Sequence, residues 1–311
     1  MRFDRWAKKH FPALGFVDLQ RLLRSGQFRL DGKRVAASDR IARGQSVRVP
    51  PLADAPPPRA KPPVGARDAR FIRSLVLHED DAVIVLDKPA GLAVQGGTGT
   101  ERHVDGMLGA FGEGEGRPRL VHRLDKDTSG LLVLARTAPV ARALMHAFQG
   151  HEVRKLYWAI VQGRPDRSEG VVDLRLGKAG PPGRERMGPE ALDAKRARTG
   201  FRVIARAGGV AAWVGLLPLT GRTHQLRAHC AAVGTPILGD AKYGASREGV
   251  DQLPQGLMLH ARAIDLPHPT RKGRLRVEAE PPKAFKEALA FLGMPVENLP
   301  FSRLDDWPDE L

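Results

Sequence analysis

The chain has 311 residues, 42% of them hydrophobic, which suffices for a substantial core and excludes an intrinsically disordered protein. Fifty Lys and Arg against 35 Asp and Glu give a net charge of +15, and such an excess points to a polyanionic partner, because each cation set on a phosphate releases condensed counterions. The single cysteine, Cys230, excludes intrachain disulfides and a cysteine-built zinc site.

The first fifty residues carry twelve Lys or Arg and four Asp, so +8 of the charge is concentrated there. The N-terminal MRFDRWAKKHF lacks the apolar core of a signal peptide. Phe16 to Arg24 has Phe16, Leu19, Leu22 and Leu23 at helical spacing, with Gly26 to stop it. In FRLDGKRV, Asp31-Gly32 sits between two short alternating arms and predicts a two-residue hairpin turn, which needs positive φ at both central positions. A short strand, SVRV, follows Gly44. Arg2, Arg5, Lys8, Lys9, Arg21, Arg24, Lys33 and Arg34 are the candidate RNA-binding residues of this small α/β domain. Its helix, helix, basic hairpin order resembles the S-four type of RNA-binding domain.

Seven prolines between Pro50 and Pro63 predict an extended spacer. The expected layout is an RNA-binding domain over 1–52, a linker over 53–68, a catalytic domain over 69–296 and a loose tail over 297–311. In the body, AVIVL (82–86), LLVLA (131–135), KLYWAIV (155–161) and AAWVGLL (211–217) read as strands. Thr137 can cap a helix with Val140, Leu144 and Phe148 four apart, ended by Gly150. A second helix is expected from Thr223 to Gly234, with Leu226, Cys230 and Val233 facing inward. The fold class is α+β, a mixed and mostly antiparallel sheet with flanking helices and loops. No run of about eighteen apolar residues occurs, so a soluble, cytoplasmic protein without membrane association is expected.

The densest chemistry lies in VHRLDKDTSGLLVLA, Val121 to Ala135, where a charged loop runs into a buried strand and can hold a carboxylate in fixed geometry. Asp125 and Asp127 are the candidates. HRLDKDTSGLLVLA resembles the active-site motif of the RluA family of pseudouridine synthases, in which the Asp after Arg-Leu is catalytic; that position is Asp125. LDKPAGLAVQGG (86–97) is similar to the family's first motif, with Gln95 where many members carry His. KLYWAIVQG (155–163) resembles the segment bearing the active-site tyrosine, which maps to Tyr157. LPLTGRTHQLRAHCAAVGTPILGDAKYG (217–244) resembles the segment with the active-site arginine, assigned to Arg222. LMLHARAIDLPHP (257–269) resembles the closing strand.

The resemblance spans about residues 70 to 290 and implies the pseudouridine synthase fold and isomerisation of uridine by breaking the base–ribose bond, turning the base and rejoining it through carbon. No cofactor or metal is implied. Asp125 is expected to act beside the anomeric carbon, as nucleophile or base. Arg222 is expected to pair with it, and Tyr157 to offer a ring face and a hydroxyl. A stacked base must leave its helix to reach Asp125. Arg123 is the candidate wedge or phosphate clamp, with His122 and Thr128 as further substrate contacts and Leu217 and Leu259 as pocket walls. The expected substrate is large-subunit ribosomal RNA, with transfer RNA as the alternative, and the expected state is a monomer.

Other classes fit less well. A purely RNA-binding assembly factor would not need the acid, the tyrosine and the arginine. A methyltransferase or NTPase needs a glycine-rich loop between strand and helix, which neither Gly96–Gly99 nor Gly112–Gly116 provides. His224 and His229 are five apart and share a helix face poorly, against a metal hydrolase.

Overall fold

In the computed structural model, the described residues are 1–52, 63–97, 99–180, 186–245, 251–294 and 303–307. The chain divides into two compact units, Met1–Pro63 and Val64–Leu311. Most of the expected spacer, residues 53–62, lies outside the described residues. Its last part does not continue as linker, because Ala66–Ser74 is a helix of the second unit.

The first unit holds α1 (Phe3–His10), α2 (Phe16–Arg24) and a three-stranded antiparallel sheet of β1 (Arg29–Leu30), β2 (Lys33–Arg34) and β3 (Val47–Arg48), ordered β2-β1-β3. The β1–β2 turn has φ of 48° at Asp31 and 78° at Gly32, the double positive φ that the Asp-Gly pair favours. Phe3, Ala7, Leu19, Leu23, Phe28 and Val35 form its core. Phe16, on the apolar stripe by its spacing, is exposed. A side chain at the first helical position leans past the helix end, clear of the Leu19–Leu23 contact.

The second unit opens with α3 (Ala66–Ser74), β4 (Val76–Glu79) and β5 (Val83–Lys88). Then come α4 (Val104–Met107), β6 (Arg119–Leu120), β7 (Ser129–Ala135), α5 (Ala138–Gln149) and β8 (Arg154–Gln162). The hairpins β9 (Glu169–Ala179), β10 (Arg186–Gly188), β11 (Lys195–Ala207) and β12 (Ala211–Pro218) follow. The unit closes with α6 (Gln225–Ala232), β13 (Leu259–Pro267), β14 (Arg274–Glu278) and α7 (Lys283–Phe291). The main sheet runs β10-β9-β11-β12-β8-β13-β7-β5-β4, with β14 on β13 and β6 on β7. Its pairings are antiparallel except that of β13 with β7. Every residue of β7 is buried, as its unbroken apolar run demands. Thr137 caps α5, its side chain accepting from the Val140 N–H. Val233 departs from expectation, half-exposed because it stands at the C-cap of α6.

Two apolar clusters build the core, one centred on β8, β12, α6 and α7, the other on β5, β7, α3 and α5. Tyr157 packs against both. The tail is not loose over 303–307: Leu304 and Trp307 are buried in the first cluster, and Arg154 Nη2 donates to their carbonyls at 3.3 and 2.9 Å.

Candidate active site

The three strands β8, β13 and β7 lie side by side at the middle of the sheet, and the candidate groups gather there. Asp125 stands in the loop that enters β7, and Tyr157 in β8 faces Leu216 on one side and Ala261 on the other. α6, which follows β12, brings a third group, Arg227.

The Asp125 loop is tied down by a buried lysine. Lys88, at the end of β5, has no exposed surface, and its Nζ donates to the carbonyls of Pro89, Leu92 and Lys126, each at 2.9 Å. The Gly91 N–H also donates to Lys126 O at 3.0 Å, and the Thr128 N–H to Asp125 O at 3.2 Å. Burial pushes the Lys88 ammonium down to about 8, while the charges of Asp127 and Asp125 pull the other way. Just downstream, Gly130 takes a φ of 103° where β7 meets β13, and a Cβ there would stand 2.3 Å from Ala261 O. Only glycine lets the two backbones approach so closely.

Arg227 pairs with Asp125, and Arg222 does not. Arg227 Nη1 lies 3.4 Å from Asp125 Oδ2. Its other edge forms a two-pronged pair with the fully buried Asp240, Nε to Oδ2 at 2.7 Å and Nη2 to Oδ1 at 2.8 Å. Asp240 Oδ1 also accepts from the N–H groups of Lys242 and Tyr243. Burial opposes the Arg227 charge, but the bonds from Asp240 outweigh it and raise its pKa. The guanidinium lies over the Tyr243 ring, 5.3 Å from its centre. Arg222 sits in the loop before α6, exposed, with Nε donating to Arg196 O at 3.3 Å. Its backbone N–H is held by Gln225 Oε1 at 3.0 Å, which directs its side chain toward β11.

His224 and Tyr243 complete the wall. His224 holds a left-handed backbone, φ 50°, at the N-cap of α6, a conformation rare for residues other than glycine. Its Nε2 is 3.9 Å from Asp125 Oδ2 and its Nδ1 3.1 Å from the Tyr243 hydroxyl, which accepts from the Met187 N–H at 3.0 Å. Burial raises the Tyr157 hydroxyl well above its usual range, and the Asp125 charge adds to this.

The remaining sequence candidates divide. Arg123 is exposed beside Asp125 and free to meet a ligand. His122 is a structural group: its Nε2 accepts from the Val133 N–H at 2.8 Å, its ring stacks on Phe148, and burial pushes it down to about 3. Thr128 is buried, and Leu217 and Leu259 belong to the cluster around β8 and β12. The sequence reading missed Arg227, Asp240, His224 and Tyr243. A signal existed for Arg227, since QLRAHCAA places an arginine in a helix with little polar face, and such a charge is buried only with a partner. Among the described residues no cluster of His, Cys, Asp or Glu is placed to hold a metal ion, and no helix is long and apolar enough to cross a membrane.

Comparison with known proteins agrees with this arrangement. The family profile described as RNA pseudouridylate synthase matches residues 82–232, from β5 to the end of α6. Ribosomal large subunit pseudouridine synthase C of Vibrio vulnificus is 33% identical over 282 residues, covering 89% of this chain and 88% of that protein. Mitochondrial RNA pseudouridine synthase 4 of Arabidopsis thaliana is 37% identical over 284 residues, 77% of this chain and 59% of that longer protein. Among solved structures, human RNA Pseudouridylate Synthase Domain Containing 4 aligns with a TM-score of 0.63 at 28% identity, over 75% of this chain and 99% of that one. With the motifs in order along the chain and their residues meeting at the centre of the sheet, this protein belongs to the RluA family of RNA pseudouridine synthases.

Proposed function

We propose that the protein isomerises uridines of large-subunit ribosomal RNA, with Asp125 as the group that acts on the flipped nucleotide. The observation that carries this reading is the Asp125–Arg227–Asp240 chain, in which a partly open carboxylate is held by a buried arginine that is itself locked from behind. Such an arrangement fixes the orientation of a carboxylate and sets a positive charge beside it without further ligands. Arg227, not Arg222, is the residue we assign as its partner. Tyr157 supplies a ring face. Because its hydroxyl is driven toward the protonated form, it serves as a hydrogen-bond donor in preference to a base.

The relatives named for the ribosomal large subunit and the charge of the chain support this substrate class. Arg2, Arg5, Lys8, Lys9, Arg21, Arg24, Lys33 and Arg34 are all exposed on the first unit, consistent with a phosphate-binding role. Exposed Arg123 is assigned the place vacated by the flipped base or its phosphate.

The test is carbodiimide mapping of pseudouridine in total host RNA, comparing wild type with Asp125→Asn. Loss of specific large-subunit sites is expected. An unchanged map, with the variant folded and expressed, removes Asp125 from the reaction, and loss confined to transfer RNA removes the ribosomal assignment.

A further inference from the structure

A second site lies away from Asp125. A cavity of about 250 Å³ opens between β8, β9, β11, β12 and α6, and none of Asp125, Tyr157 or Arg227 lines it. Its walls are apolar, with Val172 and Val214 on the strands and the Phe201 ring at one side. Into this apolar space the sequence sets His229, on the side of α6 turned away from Arg227, at 1% exposure. Neither ring nitrogen has a hydrogen-bond partner among the described residues. Burial pushes the imidazole down to about 4, so the ring is neutral, with one N–H donor and one bare acceptor.

Buried polar groups without partners cost free energy, and a protein that retains one in an apolar pocket has a reason to do so. Phenylalanine would fill the same space at lower cost. The missing partner must offer an acceptor and a donor to one imidazole and present flat apolar faces to valines and a phenyl ring. The part that enters the hollow must also be small and uncharged, because a neutral ring among apolar walls gives nothing to compensate a buried charge. Thr199, also lining the cavity, is engaged by Gln225 Nε2 at 3.0 Å and leaves His229 as the main polar handle. Two exposed lining residues, Asp166 and Arg167, carry opposite charges, and Arg167 is the one suited to a phosphate.

We propose that this cavity binds a nucleobase, hydrogen-bonded by His229 and flanked by Phe201, with Arg167 toward its phosphate. The inference rests on the reading that the substrate is RNA, whose unpaired bases are recognised by stacking and by their hydrogen-bonding edges. Such a base would come from an unstacked nucleotide of the substrate RNA, and a free nucleotide would satisfy the same chemistry.

The test uses the full chain with 15N-labelled histidine, titrated with AMP, GMP, CMP and UMP, in wild type, Asp125→Asn, His229→Phe and His229→Gln. One nucleotide is expected to move the His229 ring nitrogens in wild type and in Asp125→Asn alike. His229→Phe should abolish binding while unfolding at a temperature no lower than wild type. His229→Gln, which keeps a donor and an acceptor, should retain part of the binding. In single-turnover assays on ribosomal RNA, the half-saturating enzyme concentration should rise roughly tenfold in His229→Phe, the worth of one or two lost hydrogen bonds. Nucleotide binding lost with RNA affinity unchanged would assign the site to free nucleotides. No response of the His229 nitrogens to any nucleotide, with unchanged RNA affinity in His229→Phe, would overturn the proposal and leave a hydrated hollow. Failure of the catalytic reading is told apart, because the titration does not require turnover.

Discussion

Arginines 222 and 227 stand five residues apart in one motif, and the structure assigns them different work. At 3.4 Å and an effective dielectric near 20, the Arg227–Asp125 attraction is about 5 kcal/mol. The Asp125 side chain keeps 26% of its exposure, so water regained on removal of the guanidinium offsets part of this. A net effect of about 2–3 kcal/mol follows, which is roughly 30- to 150-fold in rate. Arg227→Lys should therefore lower kcat by about two orders of magnitude, since an ammonium cannot bond Asp240 through two prongs and still face Asp125. Arg222→Gln should leave kcat within threefold and act, if at all, on KM, because its guanidinium contacts the Arg196 carbonyl and solvent. The assay is tritium release from RNA labelled at uracil C5 under single-turnover conditions, with circular dichroism to verify folding. A large kcat loss in Arg222→Gln beside a mild one in Arg227→Lys would refute the assignment.

Three further outcomes follow from the same geometry. Asp240→Asn leaves the Arg227 charge buried without its counter-ion and should cost about 3–5 kcal/mol in urea denaturation, together with activity; a loss below 1 kcal/mol would mean the pair is not buried as described. Gly130→Ala drives a methyl group into the Ala261 backbone and should cost about 2–3 kcal/mol and loosen the β7–β13 junction, read as faster amide exchange at residues 129–131. His122, His229 and His260 are held neutral by burial, at about 3, 4 and 4. The unfolded chain binds their protons near pH 6.5 and the folded one does not, so stability is full above that pH and falls as pH drops toward 4. From pH 7.5 to 5.5 the loss should be about 2–4 kcal/mol, and a flat urea midpoint over that window would contradict it.

Local physics made much of this protein legible from residue order. The Asp-Gly pair set the N-terminal turn, Thr137 set the start of α5, and an unbroken apolar run made β7 a buried strand with the Asp125 loop at its entrance. Those features depend on neighbours within a few residues, and the family motif is of the same kind. The β9–β11 hairpins went unread although Val172, Leu174 and Leu176 alternate with Asp173 and Arg175. Their faces are decided by pairing with β11, which sequence spacing does not announce.

The sequence by itself determined the family, through motifs whose order along the chain can be read directly, and it singled out Asp125 and Tyr157 as candidates. It pointed to Arg222 as the partner of Asp125 and passed over Arg227, which stands five residues on, inside a short helix. Only the folded chain decided between them, by turning Arg222 toward β11 and burying Arg227 between two carboxylates 115 residues apart in sequence. It also decided that His122 is a packed acceptor for β7 and that His229 looks into a cavity. A helix side chain's surroundings depend on what packs around that helix, and long-range packing leaves no mark in the local order of residues.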